Sequence, residues 1–158
     1  MWYNCCVEQV IKEYPNVTYW LDGNAVQGLG NLILTSERLI FLNRIDLKDW
    51  QLEKVQQLSR GGDLDKVIEF SLKLDKKNFQ IQLAYVTNAR MGLYSLLPFP
   101  RLCMRVQHLT KKQNLAETSF WFRIPLLKGL VELEIVLVMG WISAVNAAAK
   151  KKQEATSR

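Results

Sequence analysis

The chain has 158 residues, 49% of them hydrophobic and 23% charged, a balance that fits one globular domain burying roughly 70% of its unfolded surface. Its net charge of +6 permits attraction to anionic lipid, nucleic acid or acidic protein without choosing among them. Of three cysteines, Cys5 and Cys6 are adjacent and Cys103 stands alone, which excludes a disulfide framework and fits a reduced, cytosolic compartment.

No basic stretch followed by an apolar run opens the chain, so no secretory leader is expected. Over Trp2 to Tyr14, Val7, Val10, Ile11 and Tyr14 fall at helical spacing among Glu8, Gln9, Lys12 and Glu13. That spacing predicts an N-terminal helix over 1–16, stopped by Pro15-Asn16. Asp22-Gly23-Asn24 marks a turn. Gly30 to Leu42 then reads as a hairpin: Leu32 and Leu34 share a face, Leu39 and Phe41 share a face on the return, and Thr35-Ser36-Glu37-Arg38 is the polar turn. Ile33, Ile40 and Leu42 make the other face apolar too, and covering it is one role open to the N-terminal helix.

Between Arg44 and Arg60, Leu47, Trp50, Val55 and Leu58 suggest a short, partly amphipathic helix or an irregular connection, closed by Gly61-Gly62-Asp63. Ile68, Phe70, Leu72 and Leu74 then alternate with polar residues. After the turn Asp75-Lys76-Lys77-Asn78, so do Phe79, Ile81, Leu83 and Tyr85. This predicts a half-buried antiparallel hairpin. Thr87 to Arg101 breaks the rhythm. Arg90 and Arg101 bracket Met91, Leu93, Tyr94, Leu96, Leu97 and Phe99, while Pro98 and Pro100 exclude a continuous helix. This is an apolar loop, either folded back as core or dipping into a lipid interface.

Strand character returns over Leu102 to Gln107 and Ser119 to Ile124, with a polar loop over 110–118. From Pro125, Leu130, Leu133, Leu137, Trp141, Ala144 and Ala148 make one helical stripe, and Val131, Ile135, Val138, Ile142 and Val145 a second. The β-branched run 131–138 leaves a strand start open, and the polar, basic tail 151–158 is expected to fray.

The pattern G-x-L-x-L-T-x-x-R-L-x-F from Gly30 to Phe41 resembles the early hairpin of GRAM domains, which belong to the pleckstrin-homology-like superfold. Trp141 to Asn146 is similar to the closing helix of that superfold, whose Trp packs into the barrel. The resemblance implies a mainly β fold with α elements: an antiparallel barrel of about seven strands, closed by the C-terminal helix, over 17–150. It also implies a non-enzymatic binding module or adaptor for a protein, a peptide or an anionic membrane surface. The alternative is a structural domain that homo-oligomerises through its helical apolar faces. Many relatives hold phosphoinositides with cations near the loop joining the first two strands. Here Gly28 to Asn31 carries none, so that site is not expected.

The residues themselves offer little chemistry. His108, the lone histidine, has no motif around it and reads as a surface or loop residue, and Glu132 and Glu134 diverge on a helix. No catalytic residue, metal, cofactor or small-molecule substrate is therefore expected. Candidate ligand or membrane contacts are Arg90, Leu93, Tyr94, Leu96, Leu97, Phe99 and Arg101, with Lys76, Lys77, Lys111 and Lys112 as a candidate basic patch. Aromatics are not interleaved with the basic residues, so nucleic acid is not expected. Ile135 to Ala149 is uncharged but falls short of the ~20 residues of a membrane span. The expected location is cytoplasmic, with a peripheral membrane position if the apolar loop meets lipid.

Overall fold

At the N-terminus strand pairing overrides helical spacing. In the structure, a computed structural model describing residues 8–21, 27–94, 101–109, 117–124 and 131–157, the second part of the helix expected over 1–16 is instead the start of strand β1, Val10–Leu21, while residues 1–7 lie outside the described ones. Pro15-Asn16 does not end the element. It sits where the register shifts between Tyr14 and Val17, with Asn16 at φ 58°, the left-handed conformation that Asn tolerates at a bulge.

β1 pairs with β2 (Gly28–Thr35), which turns back as β3 (Arg38–Asn43) in the expected register, Leu34 opposite Leu39 and Leu32 opposite Phe41. Those four side chains are fully buried on the inner face. Two helices follow, α1 (Asp49–Arg60) and α2 (Leu64–Leu74). The first settles the open choice over 44–60. The second overturns the strand expected over 68–74. Its letters fit both periods. What decides is Asp63, whose carboxylate caps the helix by accepting from the Lys66 N–H at 3.2 Å, and the burial of Ile68 and Ser71 on one helical face. α2 also takes the covering role left open to the N-terminal helix. Arg38, on the outer face with the buried Ile40, pairs with Asp65, and Asn78 Nδ2 donates to the Ser71 carbonyl.

β4 (Phe79–Gln82) passes through one 3₁₀ turn, Leu83–Tyr85, into β5 (Val86–Tyr94), so the first half of the expected apolar loop is strand. β6 (Arg101–Leu109), β7 (Glu117–Arg123) and α3 (Val131–Thr156) complete the chain. The strands form one antiparallel sheet in the order β4-β3-β2-β1-β7-β6-β5. Its two edges are joined through three residues, so the sheet must curl until they approach, but no ladder joins them. The expected barrel is thus an open, curved seven-stranded sheet.

α3 packs against the curled sheet. Val138, Trp141 and Val145 are fully buried and Ala149 nearly so; Trp141 comes from the first expected stripe, Val138 and Val145 from the second and Ala149 from neither, while Ile135, Val136 and Met139 remain exposed. Lys12 from β1 lays its ammonium 5.2 Å from the Trp141 ring centre. The helix starts without a strand and continues to Thr156, so the tail expected to fray is helical through most of its length. No helix among the described residues is long and apolar enough to cross a membrane. Trp141→Ala is expected to cost about 3–5 kcal/mol, read from urea denaturation; an unchanged midpoint would contradict this packing.

Candidate functional site

β5 is an edge strand, and an edge exposes a row of backbone donors and acceptors. α3 covers part of that row. The Asn146 carboxamide accepts from the Ala89 N–H at 2.9 Å and donates to the Ala89 carbonyl at 2.8 Å, as a neighbouring strand would. Gln153 donates to the Val86 carbonyl at 2.8 Å. Because the backbone groups of residues i and i+2 point the same way along a strand, Met91 and Leu93 also turn their N–H and C=O toward this edge. Among the described residues no hydrogen bond reaches them there.

The flank of α3 beside this edge changes character along its length. Met139 and Ile135 precede Asn146 by two and three turns and fall within about 20° of it around the helix. Both are exposed, at 48% and 42%, as are Met91 at 38% and Leu93 at 64%. Toward Ala89 and Val86 the edge is closed by carboxamides; toward Tyr94 the exposed side chains of the strand and of this helix flank are apolar.

The opposite face of the same strands is basic. Arg90 lies directly opposite Arg105, Arg105 opposite Trp121, and Trp121 opposite Trp20, a single row across β5, β6, β7 and β1. Arg105 stacks 5.2 Å from the Trp121 ring centre and donates from Nε to Ser119 Oγ at 3.1 Å. The Trp121 ring reaches across to Gly92, where a β-carbon would collide with it. Only glycine leaves room for this cover, beneath which Cys103 is fully buried.

A second polar cluster surrounds the β2–β3 turn. Arg38 forks onto the Glu8 carboxylate with Nε at 2.9 Å and Nη2 at 2.6 Å, pairs with Asp65, and donates to Gln80 Oε1 at 2.8 Å. Lys152 pairs with Glu37 at 2.5 Å, and the Leu83 N–H donates to the Glu37 carbonyl at 3.0 Å. A cleft of about 800 Å³ opens beside these groups, lined also by Gly61, Gly62 and Asp63. Burial pushes the Glu8 carboxyl up, but hydrogen bonds from Arg38 and Thr35 and the charges of Arg38 and Lys152 together hold it below 4.5. The donors of Arg38 are spent on the fold, so this cluster is a clamp.

The sequence candidates distribute unevenly. Arg90 and Leu93 come together on β5, and Tyr94 and Arg101 are register partners where the hairpin ends. Leu96, Leu97 and Phe99 lie outside the described residues, as do Lys111, Lys112, Cys5 and Cys6. Lys76 and Lys77 belong to the turn between α2 and β4, apart from the arginine row, where the Lys77 N–H donates to Asp75 at 2.8 Å. His108 is no loop residue. It lies half-buried on β6, stacked 5.4 Å from Phe120, and burial lowers its pKa. Arg105, Trp121 and Asn146 were not singled out as contacts. The available signal for Asn146 is a carboxamide inside the uncharged run from Ile135 to Ala149. Among the described residues no group of three or more His, Cys, Asp or Glu could hold a metal ion. Comparison with family models, with curated proteins and with solved structures returned no match.

Two outcomes follow for the clamp. Arg38→Ala leaves the Glu8 charge buried and unpaired and is expected to cost about 3–5 kcal/mol in urea denaturation. Glu8 titrates near 4.5 when unfolded and lower when folded, so its contribution is complete above that pH and is lost as pH falls through the folded value. Glu8→Gln should therefore lower stability at neutral pH and flatten the acid limb below pH 4.5. An equally steep limb would show that Glu8 is not held down.

Proposed function

We propose that this chain is a non-enzymatic binding module of the pleckstrin-homology-like, GRAM-like kind, which takes an extended segment of another protein as an added strand on β5. One observation carries this reading. Side chains of α3 close the β5 edge at Val86 and Ala89, while Met91 and Leu93 keep outward backbone groups and exposed side chains, as do Met139 and Ile135 further along the same flank of α3 in their side chains. Main-chain hydrogen bonds along an edge supply affinity and pockets for alternate side chains supply specificity. Each such bond contributes about 0.5–1.5 kcal/mol net, and burying a Leu- or Met-sized side chain about 1.5–3 kcal/mol, enough for binding once ordering costs are met. The hairpin resemblance over Gly30 to Phe41 and the buried Trp141 on a C-terminal helix support the family reading. The odd cysteine count, with Cys5 and Cys6 adjacent and no CxxC, supports a reduced, cytoplasmic setting.

The test is selection of binders from a phage-displayed random nonapeptide library on the intact chain, followed by Leu93→Pro. The Leu93 N–H points away from β6, so proline there removes an edge donor and spares the β5–β6 ladder. Affinity for the selected peptides should fall about tenfold or more, the equivalent of one or two lost bonds, with little change in melting temperature. Undiminished binding to Leu93→Pro would contradict strand addition.

A further inference from the structure

A strand added to β5 would meet two different chemistries on its two faces. Its side chains on the inner face would lie beside the exposed Met91 and Leu93. Those on the outer face would extend the transverse row that begins with Arg90 and continues with Arg105. Cross-strand neighbours on one face sit about 4.5–5.5 Å apart, and like charges directly opposite destabilise a sheet. Arg90 and Arg105 are such a pair. Arg105 has neighbours to share its charge with, Trp121 and Ser119, whereas Arg90 is exposed at the edge. Beyond Arg90 the outer-face position at Gly92 is filled by the Trp121 ring, so on this edge it is Arg90 that a side chain of the added strand meets.

We infer that the segment taken by β5 is acidic and alternating: apolar side chains on the face of Met91 and Leu93, and an aspartate or glutamate on the outer face where it meets Arg90. The inference rests on the strand-addition reading and adds to it the chemistry of the ligand. The carboxylate relieves the repulsion between the two arginines, and an arginine fork matches it with two parallel hydrogen bonds. The chain's net charge of +6 favours the same partner at long range and disfavours a second copy of itself.

The composition of the selected nonapeptides tests this directly. Asp or Glu should be enriched at alternate positions, with apolar residues between. A fluorescein-labelled synthetic copy of the strongest binder should show anisotropy that weakens about tenfold from about 0.05 to 0.5 M salt. Arg90→Glu should weaken that binding at least tenfold, Arg90→Lys should retain much of it, and lysine in place of the peptide's acids should reverse the preference between parent and Arg90→Glu. Binders without acidic bias, indifferent to Arg90→Glu, would overturn the acidic ligand and leave strand addition standing. Failure to recover any binder would overturn both. A self-association that Leu93→Pro abolishes would make the occupant a second copy and overturn the acidic partner.

Discussion

The fold depends on a buried guanidinium. Arg38 is 7% exposed, and a charge taken out of water destabilises a protein unless its partners come with it. Those partners arrive from three directions: Glu8 from the segment before β1, Asp65 from the first turn of α2, and Gln80 from β4. The adjacent Glu37 gathers two more, Lys152 from the end of α3 and the Leu83 N–H from the corner that joins the sheet edges. One tight turn therefore dictates where the chain's beginning, its helical insertion and its final helix must meet. Because the corner at Leu83–Tyr85 is held there, β5 emerges as the far edge of the sheet, and α3, tied at Lys152, is set along it. The candidate binding edge is thus a consequence of the clamp at the other end of the helix.

How much of this was legible depended on whether one periodicity stood alone. The hairpin from Gly30 to Leu42 was readable because its alternation has no helical rival and its polar turn is short. Trp141 was readable as core because a large ring on an apolar helical stripe has few other places to go. The run Ile68 to Leu74 alternates like a strand, and the helical period shows only when Leu64 and Val67 are joined to Ile68 and Leu72; the cap at Asp63 decides between them. In β1, Pro15-Asn16 looked like a stop because a bulge uses the same residues as a chain end.

The site was half legible for a related reason. Arg90 and Leu93 stood out in a stretch too apolar for an ordinary loop, yet Gly92 hid the strand, because its outer-face position is filled by the ring of Trp121 from two strands away. The arginine row and the carboxamide caps are products of register and of helix rotation. They join residues far apart in sequence, and no local pattern announces them.

The central claim is that the β5 edge is closed at Ala89 and open beyond it, and residue-resolved amide hydrogen exchange of the free protein reads this directly. The account predicts strong protection of the Ala89 amide, bonded to Asn146, and rapid exchange at Met91 and Leu93, whose amides point away from β6 and meet no hydrogen-bond acceptor among the described residues. Equal, strong protection at all three would mean the edge is already paired in the free chain, and would contradict it.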